Sequence, residues 1–242
     1  MPKDLTYVEA IEQVMLKNGF MAPLKLIYKD IWKYKDASKI TGKTPLDSIR
    51  CEVQRDKRFT RVGLGVYALT DKIHLLKRQE TPKTPQEKAI SKHGEIQGML
   101  LELGNNSKEV CETYTNDKKF IFNEKPLGSI CTLQNLPPFT YERIIKESVC
   151  FIDVVWFNER MFPSKVFEVE NSTDFRGAFV KFMELQDFQT NFICVAPNER
   201  KAKFEREITK TAFLPIQNRV KFYSYEDVEH DYNLSLQKYR IL

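Results

Sequence analysis

The chain has 242 residues, 42% of them hydrophobic and 29% charged, with a formal net charge of +5 at pH 7. That length suits one large core or two modest ones, and no stretch approaches the roughly 18 consecutive apolar residues of a membrane span. Five cysteines without a CxxC, and three histidines far apart in sequence, argue against a disulfide framework and a structural zinc site.

The N-terminus lacks a basic-then-apolar leader, so a cytoplasmic protein is expected. Residues 1–70 carry 13 Lys and Arg against 8 Asp and Glu, residues 71–92 carry 6 against 3, and residues 93–242 carry 19 against 22. A basic N-terminal third suits a phosphate backbone, although many solvated surfaces are equally basic. Thr6-Tyr7-Val8-Glu9 has the form of a capping box, and Val8, Ile11, Val14 and Met15 mark one apolar face of a helix ending near Asn18-Gly19. A second helix fits Leu24 to about Lys35, with Leu26, Ile27, Ile31 and Trp32 inward. Thr44-Pro45 starts a third, running through Ile49 and Val53. Residues 58–62 and 66–69 then read as two strands joined by Gly63-Leu64-Gly65.

Three helices and a hairpin form the winged helix-turn-helix plan, in which the third helix enters the major groove and the wing touches backbone. Candidate DNA contacts are Lys43, Ser48, Arg50, Gln54, Arg55, Lys57 and Arg58 around the third helix, and Arg61 on the wing. The alternative is a solvated charged helix in a protein-binding winged helix. The pieces TP-x-x-x-I-x-x-x-x-Q and RF-x-R-V-G-x-G-V-Y-A-L make residues 3–70 resemble the HARE-HTH winged helix family. That resemblance implies DNA binding and fusion to DNA-modifying enzymes. Residues 1–70 are thus expected to form a DNA-binding domain, and the polar stretch 71–92, with two Thr-Pro steps, a linker.

From His93 to Leu103 the sequence reads as a helix ended by Gly104, followed by a β segment around 110–114 and an irregular region with a short helix at 141–147. Val149–Phe157 is a strongly apolar, β-branched and aromatic run in which Asp153 is the one charge. Lys165–Glu170 is a second strand. If the two form a hairpin centred near residues 160–161, Asp153 lies opposite Glu168, and Glu170 shares the face of Glu168. Three packed carboxylates repel one another and raise each other's pKa unless a cation fills the site. A hard divalent ion such as Mg²⁺, with Mn²⁺ as a substitute, accepts that donor set. The alternative has both glutamates facing solvent and Asp153 ending the strand early. Downstream, residues 173–188 read as a helix, 191–196 as a strand, 198–210 as a helix and 220–223 as a last strand. The expected fold of 93–242 is α/β, a mixed sheet flanked by helices.

With that element order, Asp153 followed by Glu168-x-Glu170 resembles the PD-(D/E)XK nuclease superfamily, and FIDVVWF…KVFEVENSTDFRGAF is similar to its restriction-endonuclease-like members. The resemblance implies that Asp153 and Glu168 bind the metal. The third position, usually Lys, is Glu170; either Glu170 orients or deprotonates the attacking water, or Lys181 on the next helix substitutes. A glutamate of the first core helix, Glu95 or Glu102, with Glu95 favoured, is a further catalytic candidate. Ser172, Thr173 and Arg176 are candidate phosphate contacts at a helix N-terminus. The expected function is a restriction-type endonuclease acting on double-stranded DNA as a homodimer. The alternatives are a non-cleaving DNA-binding protein with a decayed nuclease core, and a repair or modified-DNA-dependent nuclease.

Overall fold

Helix α1 (Tyr7–Lys17) begins where Thr6 closes a capping box: its hydroxyl accepts from Glu9 N at 3.3 Å, and Glu9 Oε2 accepts from Thr6 N at 2.9 Å. The computed structural model describes residues 4–40, 42–76, 82–171 and 174–241. Strand β1 (Met21–Pro23) leads into α2 (Leu24–Asp30), which tightens into a 3-10 turn over Ile31–Lys33. Helix α3 (Pro45–Arg55) starts with Pro at N1, where its missing N–H is not needed. Strands β2 (Phe59–Gly63) and β3 (Val66–Leu69) form the expected hairpin. The unexpected β1 pairs with β3, giving an antiparallel sheet in the order β1-β3-β2. Ile11, Met15, Ile27, Ile31, Ile49 and Val53 form the core beneath these elements.

Helix α4 (Pro85–Asn106) starts eight residues before the expected His93, because Thr84 and Glu87 form a second capping box with Pro85 at N1. The expected linker is therefore helix from residue 85 onward. Strand β4 (Glu112–Thr115) follows. The region expected to be largely irregular holds a small hairpin, β5 (Ile121–Phe122) and β6 (Lys125–Pro126), then α5 (Leu127–Ile130) and α6 (Glu142–Glu147). The rest alternates β7 (Val154–Phe157), β8 (Pro163–Val169), α7 (Arg176–Met183), β9 (Asn191–Ala196), α8 (Lys201–Ile208), β10 (Val220–Ser224) and α9 (Tyr225–Ile241). Helix α7 is shorter than the expected 173–188, and α9 was not expected; its Val228, Tyr232 and Leu236 recur every four residues and pack with α4.

The five strands lie in the order β10-β9-β8-β7-β4, with β4, β7 and β8 antiparallel and β8, β9 and β10 parallel. Side chains alternate across the pleat. Val155, Phe157 and Val166 pack with Phe179 and Phe182 of α7 and Phe204 of α8. Val154, Trp156, Phe167 and Val169 pack with Ile96 and Leu100 of α4 and Val228 of α9. The fold is thus mixed α/β, a mixed sheet flanked by helices on both faces.

The N-terminal elements are fastened to this core. Leu64, at the tip of the β2–β3 hairpin, has no exposed surface. Its N–H donates to Glu102 Oε2 at 2.7 Å, and Tyr232 Oη donates to the same oxygen at 2.7 Å. Lys125 Nζ lies 2.9 Å from Glu102 Oε1 and donates to Val62 O at 2.7 Å. Asn106 Nδ2 donates to Leu64 O at 2.7 Å, and Lys25 caps the end of α4 through Gly104 O, Ser107 O and Val110 O. A Cβ on Gly63 would run into Glu102 and Lys125. Gly65, at φ +66°, has Asn106 where a Cβ would go. The hairpin tip expected to lie on DNA backbone is instead buried against α4.

Candidate active site

Asp153 stands one residue before β7. Strands β7 and β8 pair Val154 with Phe167 and Val155 with Val166, so one further step of the same register sets Asp153 opposite Glu168, as the hairpin argument expects. Asp153 is 6% exposed and its carboxylate is held from three elements. Oδ2 accepts from Val169 N of β8 at 2.8 Å, and Oδ1 accepts from Gln97 Nε2 of α4 at 2.9 Å and from Asn116 Nδ2 at 3.1 Å. His93 Nε2 lies 3.3 Å from Oδ1. Glu168, 2% exposed, accepts from Lys181 Nζ of α7 at 2.9 and 2.7 Å through its two oxygens, and the same ammonium donates to Phe151 O at 2.9 Å. Glu170 is buried just past the end of β8, its N–H donating to Val195 O at 2.7 Å and its carbonyl accepting from Arg200 at 2.9 Å. Asp153, Glu168, Glu170, His93, Asn116 and Lys181 line a cleft of about 480 Å³ with Ala89, Ile90, Asn171 and Phe151 at its sides.

Burial pushes the Glu168 carboxyl up to about 8, and the charge of Asp153 adds to that rise against the pull of Lys181. Burial draws the His93 imidazole down, but its hydrogen bond to Asp153 and the charges of Asp153, Glu170 and Asp117 outweigh it, and the net shift is upward. The charge of Asp153 contributes to both displacements, beside the burial that dominates at Glu168. Gln97 is the second α4 side chain that reaches Asp153. Its Nε2 faces Asp153, which fixes the amide orientation, and its buried Oε1 has no hydrogen-bond partner among the described residues.

That donor set fits a Mg²⁺-like ion, which takes few protein oxygens and keeps several waters. Among the described residues, no three His, Cys, Asp or Glu side chains gather closely enough to enclose a metal by themselves, so any cation here keeps such waters. Asp153 and Glu168 are the carboxylates that could hold such an ion.

The remaining expected residues are distributed unevenly. Glu95 is half-buried, accepts from Ser91 Oγ at 2.8 Å and does not line the cleft. Residues 93 and 97 are four apart and share the helix face toward Asp153, whereas 95 is turned well off it. His93 and Gln97 occupy the place expected of Glu95. Glu102 belongs to the buried junction. Lys43, Gln54, Arg55 and Lys57 are exposed, and Ser48 and Arg50 are half-buried on α3. Arg58 is bound to Asp56 at 3.0 Å and reaches Glu12 at 3.5 Å. Arg61 is half-buried and donates to Gly63 O at 3.0 Å, on the junction side of the hairpin rather than on a free wing. Arg176 pairs with Asp174 at 3.2 Å and Glu207 at 3.0 Å. Ser172 and Thr173 lie outside the described residues. Asn116 was not foreseen; no motif marks it, because it meets Asp153 only through the fold.

Residues 74–240 match the model of a family described as the type II restriction enzyme NmeDI C-terminal domain. No curated protein and no solved structure matches the chain. No helix among the described residues is long and apolar enough to cross a membrane.

Proposed function

The chain belongs to the family of the type II restriction enzyme NmeDI C-terminal domain, and we propose that it is a Mg²⁺-dependent restriction-type endonuclease of the PD-(D/E)XK kind that hydrolyses double-stranded DNA. Asp153 and Glu168 hold the ion, which Mn²⁺ can replace. When bound, the ion supplies Lewis acidity and neutralises charge growing on the scissile phosphate. Val169 N, Gln97 and Asn116 fix Asp153 so that it meets the ion without rearrangement. Lys181 stands in for the lysine that the motif usually carries at position 170. It approaches from α7 rather than along β8, and its ammonium orients the attacking water beside Glu168. Glu170 adds negative charge at the mouth and strengthens the pull on the cation. The α3 side of the N-terminal unit, in this reading a winged helix, lays Lys43, Arg55 and Lys57 on the DNA backbone. Cutting both strands takes two copies of the site, hence a homodimer on DNA.

The observation that carries this reading is the buried, opposed pair Asp153–Glu168 with Lys181 bonded to one member. The test is incubation of plasmid and phage DNA with Mg²⁺, Mn²⁺ or EDTA, using Asp153→Ala and Glu168→Ala as controls. Cleavage that needs the ion and both carboxylates supports the proposal. An intact chain that binds DNA but cuts no substrate, modified or plain, would identify a non-cleaving DNA-binding protein instead.

A further inference from the structure

Phe151 is a large apolar side chain for which the packing of the chain provides no cover. It ends a 3-10 turn over Val149–Phe151 and is 56% exposed, while Val149 before it and Ile152 after it have no exposed surface. The turn is therefore anchored at both ends with the Phe151 side chain left outside. Its carbonyl is pinned as well, accepting from Lys181 Nζ at 2.9 Å and Asn116 Nδ2 at 3.0 Å. Those two donors also bind Glu168 and Asp153. The backbone of this residue is thus linked, through shared hydrogen-bond donors, to both carboxylates of the candidate site.

A solitary exposed apolar residue needs no explanation. Here Ile90 of α4, 66% exposed, lines the same cleft as Phe151. Two large apolar groups flank a floor of carboxylates, in a cleft that must be entered by a polyanion. Phosphate has no use for an aromatic ring, but the bases attached to it do. Rings and branched apolar side chains that face nucleic acid stack on base faces or wedge into a base step and partly unstack it.

We infer that Phe151 is a positioning residue for the DNA, its ring packing into the base step next to the scissile phosphate with Ile90 bearing on the same nucleotide. This rests on the endonuclease reading above. Because the ring and the carboxylates share one hydrogen-bonded frame, the base step it holds sets which phosphate reaches Asp153 and Glu168. The wedge favours steps that unstack easily, the pyrimidine–purine ones.

The test uses the full chain and a duplex carrying 2-aminopurine beside the wild-type cleavage position, bound in Ca²⁺ to hold the complex uncut. Wild type and Phe151→Tyr should raise the 2-aminopurine fluorescence, and Phe151→Ala should not. In Mg²⁺, kcat/KM should fall about tenfold to a hundredfold in Phe151→Ala, in line with the loss of one aromatic–base stack, with most of it restored in Phe151→Tyr. A Phe151→Ala protein that melts like wild type and keeps both signal and rate overturns the inference while leaving the nuclease intact. So does a rate loss accompanied by a lost dimer and an unchanged fluorescence signal. A wild-type protein that cuts no DNA would instead remove the endonuclease reading, and this inference with it.

Discussion

At the C-terminal half of α4, Glu102 and Lys125 have no exposed surface and lie 2.9 Å apart, with Tyr232 and Leu64 N completing the shell of the carboxylate. Nearer the N-terminus of the helix, His93 and Gln97 reach Asp153, which is set opposite Glu168, and burial raises the Glu168 carboxyl to about 8. The first centre balances one charge with one charge and excludes water. The second sets Asp153 and Glu168 beside His93 and Lys181, with Glu170 and Arg200 next to them, and opens into a cleft. One helix thus carries both a closed ion pair that joins two parts of the molecule and an open, carboxylate-lined centre. What separates the two is access from the cleft, which the first lacks and the second has.

The sharpest way to break the comparison is to remove charge from the open centre. Asp153→Ala and Glu168→Ala should each lower the Mg²⁺-dependent cleavage rate on the order of a thousandfold or more, a loss comparable to deleting one strong transition-state contact, while gel-shift affinity in Ca²⁺ stays close to wild type. Retained cleavage in both would end the assignment. Lys181→Met should cost about two to three orders of magnitude in rate. If Glu170 alone handled the water, that variant would cut normally.

At the closed centre the expected loss is in stability. Lys125→Met strands the buried Glu102 charge and should destabilise the chain by about 3–5 kcal/mol in urea unfolding. Adding Glu102→Gln keeps an acceptor for Tyr232 and Leu64 N and should recover most of it. An equally unstable double variant would mean that the pair contributes packing rather than charge balance.

A smaller effect distinguishes the two centres by pH. The Glu168 carboxyl is raised from 4.5 to about 8 in the fold, so between those values the folded chain holds a proton that the unfolded chain has lost. Its stabilising contribution is complete below about pH 4.5 and is lost as the pH rises through 8. The metal-free protein should therefore melt at lower temperature at pH 9 than at pH 6, and Glu168→Gln should flatten that slope. Mg²⁺ should raise the wild-type melting temperature more at pH 8 than at pH 5, where a proton competes for Glu168. The smallest change is expected at the N-terminal surface. Lys43→Ala, Arg55→Ala and Lys57→Ala should each reduce the salt slope of DNA binding by about 0.9, whereas Arg61→Ala, on the junction side of the hairpin, should leave it unchanged.

Much of this was legible in the residues. Thr6 to Glu9, Thr44-Pro45 and the apolar run around Asp153 announce their elements through local chemistry, and the hairpin register follows from counting out from residues 160–161. Thr84-Pro85 with Glu87 carried the same kind of signal for the start of α4, overlooked because the surrounding residues are polar. Asp153, Glu168 and Glu170 were visible because charge inside an apolar strand is conspicuous. Glu95 misled because a sequence shows which residues a helix contains but not the rotation at which it docks; with α4 in place, positions 93 and 97 face the sheet and 95 does not.

The sequence by itself therefore determined most of the helices and strands, though not β1, the β5–β6 hairpin, α5 or α9, together with the opposed carboxylates and the alternation that puts a core on each side of the sheet, all properties of neighbours along the chain. Only the tertiary structure decided that Lys181 meets Glu168, that Asn116 and Gln97 clasp Asp153, and that Leu64 seals the hairpin against Glu102. Those contacts join residues 13 to 56 positions apart, and their geometry depends on how helices pack on a twisted sheet.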